Sequence, residues 1–196
     1  MRALSIWLAL ITASALVLAD KKGDGKFSPG PASSYASKQT NDKVTVAVVA
    51  YDTEELAHTA FGKLDPNQYG VLPVLVIIQN DTDQALRLDQ IQVEYTGVDG
   101  RRLDATPAPE VQALGGVRKP SMPSGSPLPR IKRKSPLSAW EIEGRAFGAK
   151  MLPAHEPASG FFYFQTNHRP GSKFYLTGIR EAATGKDILY FEVPFK

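Results

Sequence analysis

The run Lys43-Val-Thr-Val-Ala-Val-Val-Ala-Tyr51 most narrows what this chain can fold into. So dense a set of β-branched side chains suits a buried strand. A second apolar strand is expected from Val71 to Ile78, with Pro73 near its start, where a missing N–H does least damage. Between the two, Asp52-Thr53-Glu54-Glu55 reads as a helix start, with an N-cap residue and acids in the first turn. That helix is short and should end by Gly62.

The middle of the chain continues in strands. Asn80-Asp81-Thr82-Asp83 is a turn cluster. Leu86 and Leu88 alternate, and Ile91, Val93 and Tyr95 then alternate in the other parity. A one-residue shift of this kind predicts a bulge or bend near Asp89-Gln90. Val98-Asp99-Gly100-Arg101 supplies the Asp-Gly of a tight hairpin. Thr106 to Pro136 breaks the pattern with prolines and glycines. Leu137 to Leu152 is then the best helix candidate, because Leu137, Trp140, Gly144, Phe147 and Met151 share one face at helical spacing. Gly160 to Thr166 is a strand with apolar groups on both faces, and Phe174–Ile179 should pair with Ile188–Val193 across Thr184-Gly185. About seven short strands predict a mostly β fold, an immunoglobulin-like antiparallel β-sandwich with an inserted helix.

Pro73 to Leu88, with its apolar strand, Asn-Asp-Thr-Asp turn and Leu-x-Leu return, resembles the centre of exported bacterial immunoglobulin-like domains of the telokin-like kind. The glycine-led aromatic strand Gly160 to Phe164 and the closing Phe191-Glu-Val-Pro194 are similar to their later strands. The two stretches cover a small part of the chain, and neither is a catalytic signature. The resemblance implies an accessory or binding role in the envelope, no cofactor and no transferable active-site residues. The Leu137–Leu152 segment departs from a plain sandwich.

The first residues address compartment. Arg2 precedes an apolar run from Leu4 to Leu18, and Val17-Leu18-Ala19 puts small or slim side chains where a signal peptidase reads. The expected organisation is a signal peptide over 1–19, a flexible leader over 20–42, and the sandwich domain over 43–196. The apolar run is shorter than a comfortable membrane span, which favours cleavage over an anchor helix. The expected location is periplasmic or secreted. With no cysteine, such a domain must be held by its apolar core alone, and lipobox acylation, thiol catalysis and cysteine-ligated metal are excluded. A formal charge of +3 is too small to imply a partner by itself.

Charge clustering is more informative. Arg118, Lys119, Arg130, Lys132, Arg133 and Lys134 lie in the Pro-rich loop 117–136 with no acid among them. Pro120, Pro123, Pro127 and Pro129 keep it extended. Such a loop suits an envelope protein or an anionic surface, each exposed cation adding ~1 kcal/mol at a charged membrane. The plainer reading is a solvated segment kept soluble by its charge. Nucleic acid is disfavoured, since no stacking aromatics are interleaved. The Trp140 and Phe147 face is expected to pack on the core, with membrane docking as the alternative.

Metal and catalytic patterns are thin. Glu54 and His58 stand at i and i+4, a spacing that can share a metal but is more often a surface pair. His155-Glu156 cannot extend into His-Glu-x-x-His, because Pro157 and Ser159 follow. Asp81, Asp83 and Asp89 lack the glycine and closing glutamate of a calcium loop, and turn chemistry explains them. No Gly-x-Ser-x-Gly elbow occurs, and Gly185-Lys186 lacks the upstream glycine of a phosphate loop. The expectation is therefore a non-enzymatic exported binding or assembly module of the envelope with no catalytic, metal or cofactor site. The alternatives are a small metal-dependent or hydrolytic enzyme, built where one of the three histidines meets carboxylates, and a peripheral membrane-surface protein.

Overall fold

The computed structural model describes residues 27–114 and 135–196. The signal segment 1–19, the first part of the leader, and all six basic residues from Arg118 to Lys134 lie outside the described residues. What is described is mostly β. The strands, in chain order, are β1 (Lys38–Asn41), β2 (Val44–Ala50), β3 (Leu72–Asn80), β4 (Leu86–Arg87), β5 (Gln92–Thr96), β6 (Arg102–Asp104), β7 (Met151–Leu152), β8 (Pro157–Phe164), β9 (Lys173–Thr177), β10 (Arg180–Glu181) and β11 (Phe191–Pro194). Three short helices, α1 (Glu54–Phe61), α2 (Ala108–Leu114) and α3 (Trp140–Gly144), accompany them. The first sheet has order β1-β2-β3-β8, the second β11-β9-β5-β6, and a small third β10-β4-β7. Every named strand pairing is antiparallel.

Side-chain alternation divides the first sheet between two cores. On one face, Val44, Val46 and Val48 of β2 join Leu72, Val74, Val76 and Ile78 of β3. They pack against Val93, Tyr95, Phe174, Leu176, Phe191 and Val193 of the second sheet. On the other face, Ala47, Leu75, Ile77, Phe161 and Tyr163 pack under the helices, meeting Ala57, Ala60 and Phe61 of α1, Val111 of α2 and Ile142 of α3. A strand covered on both sides has to be apolar along its covered length, as β3 is from Leu72 to Ile78. The helical layer is thus what an uninterrupted run such as Val74–Ile78 requires.

Pro73 lies in this central strand without breaking it. Its carbonyl accepts the Tyr51 N–H at 2.9 Å, one residue past the end of β2. It has no N–H to return, and Asn67 Nδ2 takes the Tyr51 carbonyl instead, at 2.8 Å. Helix α1 starts as its residues require, with Thr53 Oγ1 accepting the Leu56 N–H at 3.3 Å and Gly62 closing it at a φ of 65°.

Four expectations are corrected. The parity change at Asp89-Gln90 is a switch between sheets, since β4 belongs to the third sheet and β5 to the second. Residues 27–42 are not a flexible leader. Ala32 is buried in a short 3-10 turn, and β1 pairs with β2 along its whole length. The helix expected over Leu137–Leu152 is confined to Trp140–Gly144. After it, Phe161 N–H donates to the Arg145 carbonyl (2.8 Å) and Phe147 N–H donates to the Phe161 carbonyl (3.0 Å), so the segment lines the outer edge of β8. Edge pairing there outweighs helical periodicity already weakened by Gly144 and Gly148. Finally, α2 falls in a stretch expected to be irregular. β9 and β11 do pair, while Thr184-Gly185 closes a smaller hairpin inside their connection.

Candidate functional site

Two loops from distant parts of the sequence meet at one end of the second sheet. The first is the β5–β6 hairpin. Its turn forms because Gly97 N–H donates to the Arg101 carbonyl and Gly100 takes a φ of 77°. Asp99 Oδ1 accepts the Arg101 N–H at 3.1 Å. A Cβ on Gly97 would stand 2.8 Å from that same oxygen, so glycine is what lets the carboxylate sit there.

The second is the loop Gln165–Ser172 between β8 and β9. It is tied down by Tyr95 of β5, whose ring is almost wholly buried. Arg169 N–H donates to Tyr95 Oη at 3.2 Å. The phenol hydroxyl is also hydrogen-bonded to His168 Nδ1, at 3.2 Å. Burial holds the His168 pKa below its ordinary value, with the Asp52 carboxylate opposing that effect. Gln165 Nε2 donates to Thr106 Oγ1 at 3.3 Å and secures the start of the loop.

Between hairpin and loop lies a cleft of about 280 Å³. Val98, Asp99, Arg101 and Leu103 line it from the hairpin side, and Gln165, Thr166, Asn167, Arg169 and Ser172 from the loop side. Ser172 has a fully buried Oγ with no hydrogen-bond partner among the described residues. His168 instead lines a second cleft, of about 360 Å³, together with Asp52, Tyr35, Leu56 and Phe195. Ser34 and Ser37 line that cleft too, but Ser34 Oγ donates to the Pro31 carbonyl and Ser37 Oγ accepts the Lys196 N–H. Neither is hydrogen-bonded to the imidazole.

The residues singled out in the sequence are placed apart. Glu54 Oε1 and His58 Nε2 are 3.8 Å apart on the exposed face of α1. His155 Nε2 sits 3.1 Å from Asp83 Oδ1. Asp81 accepts from Gln79, and Asp89 pairs with Arg87. The three aspartates therefore do not converge. The turn they flank is organised by buried Asn80, whose Oδ1 accepts from Thr82 N–H and Oγ1 and whose Nδ2 donates to the Gln84 and Pro153 carbonyls. Among the described residues no group of three His, Asp or Glu side chains is placed to hold a metal ion. Also among them, no helix is long and apolar enough to cross a membrane. Phe147 packs on the core and stacks on Phe162 at 5.2 Å, whereas Trp140 and Met151 are exposed. The stripe read from the sequence is thus only partly core. Reading the sequence alone missed the cleft, because its two walls are more than sixty positions apart and each is ordinary loop composition. The one sequence signal was the Asp-Gly hairpin.

No family model matches the chain, and no curated protein matches it. Four solved chains are similar. One is the X-ray structure of a Northeast Structural Genomics Consortium target, 12% identical, with 80% of this chain and 90% of that chain covered and a TM-score of 0.35. Another is the crystal structure of a functionally unknown protein from Listeria monocytogenes EGD-e, 11% identical, with 81% and 80% covered and a TM-score of 0.35.

Proposed function

We propose that this chain is a non-enzymatic binding or assembly module of the cell envelope, exported by its first 19 residues and built on an immunoglobulin-like sandwich. Its working surface is the cleft between the β5–β6 hairpin and the Gln165–Ser172 loop. The observation that carries this reading is the way Tyr95 fixes that loop, through Arg169 N–H and His168 Nδ1, beside a polar concavity. Loops held rigid at the end of a β scaffold are where such folds place recognition. The basic residues Arg118 to Lys134 remain a second contact surface within the proposal, flanked in sequence by α2 and the turn at Pro136–Ser138.

Strand addition at the sheet edges is a weaker mode. The outer edge of β8 is occupied by Thr106 and by Arg145–Phe147, and β6 offers only three residues, two of them charged. Amide-shift mapping of labelled protein against solubilised envelope fractions tests the proposal. Shifts gathered at residues 97–103 and 165–172 support it. Shifts confined to β1 or to the helical layer would remove the cleft from the account.

A further inference from the structure

We infer that the sandwich-end cleft binds a uronate, a sugar unit bearing one carboxylate; the assignment rests on the binding role proposed above and names its ligand class. Arg101 and Arg169 both line the cleft, and neither makes an ion pair among the described residues. Two guanidinium groups against the single Asp99 carboxylate leave the lining net positive. The planar fork of arginine matches a carboxylate in two parallel hydrogen bonds. Asp99 selects against a multiply charged anion such as phosphate, yet its carboxylate accepts well from ring hydroxyls. Asn167 and the carbonyl oxygen of Gln165 add further partners of that kind, and Val98 and Leu103 offer apolar contact to the C–H face of a ring.

Ser172 also lines the cleft. Its Oγ is buried with no partner among the described residues, while its own N–H donates to the Arg169 carbonyl and its carbonyl accepts the Phe195 N–H. A hydroxyl stranded in this way is costly, and native proteins keep few of them. A cleft of about 280 Å³ is at the small end of ligand sites and accommodates a single ring.

Amide-shift titrations of the full chain with glucuronate, glucose, acetate, inorganic phosphate and a short peptide with a free C-terminus test this. The expected result is saturable shifts at 97–103 and 165–172 with glucuronate, and binding at least tenfold weaker for each other probe. Arg169→Gln should weaken glucuronate at least tenfold. Lys63→Gln, remote from the cleft, should leave binding unchanged. Glucose binding as tightly as glucuronate would remove the role of the carboxylate. Phosphate or peptide binding as tightly would make this a general anion or C-terminus site. Both outcomes overturn the assignment, as does the absence of cleft shifts with glucuronate. If envelope fractions still shift the cleft residues in that last case, the ligand class alone falls. If they do not, the binding role falls with it.

Discussion

Gln39 Oε1 accepts the backbone N–H of Glu192 at 2.7 Å, across 153 positions of sequence. The contact is one rung of three. Ser37 Oγ accepts the Lys196 N–H at 2.9 Å, and Asn41 Nδ2 donates to the Tyr190 carbonyl at 2.8 Å. These alternate residues of the first strand segment share one face. Their partners are backbone groups of β11 and of the residues just before and after it, Tyr190 and Lys196. Pro194, between them, has no N–H to satisfy. The polar side chains of Ser37 and β1 therefore close the outer edge of the second sheet in place of a pairing strand, an unpaired edge being a site of association.

Gln39→Ala should cost about 1 kcal/mol, the usual net value of one such bond. Hydrogen exchange at the Glu192 amide should accelerate in the variant, while amides in the centre of β3 keep their protection. Unchanged exchange at Glu192 would mean the side chain does not cap the edge.

Gly160→Ala should destabilise by on the order of 3 kcal/mol through overpacking. An added Cβ would stand 2.4 Å from Phe147 Cα and 2.7 Å from its nitrogen, both backbone atoms that cannot yield cheaply. Gly148→Ala, whose nearest neighbour would be 3.9 Å away, should be nearly neutral. Paired denaturant melts measure the difference.

Asn80→Leu should cost about 3 kcal/mol or more, since two carbonyls served by its amide and the Thr82 donors lose their partner at a fully buried position. Urea midpoints of the two proteins decide this, and a loss below 1 kcal/mol would contradict it.

His168 should make stability sensitive to acid. Burial depresses its folded pKa below the ordinary 6.5, against the opposing charge of Asp52. The unfolded chain thus takes up this proton first as pH falls. Stability from this group is full above pH 6.5 and is lost as pH drops from there through the folded pKa. His168→Gln should flatten the stability profile in that window. An unaltered slope would place the acid sensitivity elsewhere.

Much of the fold was legible because strands covered on both faces write themselves as runs of apolar, β-branched or aromatic residues. β2, β3, β8 and the Thr53-capped helix follow directly from their residues. The parity shift at Asp89-Gln90 also pointed to a real change of direction, although the change is between sheets. β1 was not legible, since Lys38–Asn41 pairs at an edge and works through polar atoms, leaving no apolar pattern to read. The Leu137–Leu152 helix misled for the opposite reason: its apolar residues do recur at helical spacing, yet Phe147 N–H pairs with β8. The cleft was invisible because Asp99, Arg101, Asn167 and Arg169 gain meaning only when Tyr95 holds the two loops together.

Photo-crosslinking in intact envelopes tests the central claim most directly, with benzoylphenylalanine placed at Val98 in one variant and at Leu114 in another. Val98 sits on the cleft rim and Leu114 at the end of α2, and both are exposed. Discrete adducts from position 98, absent from position 114 and lost on adding Arg169→Gln, are the expected result. Adducts from position 114 alone would contradict the cleft and move the contact to the neighbouring basic segment.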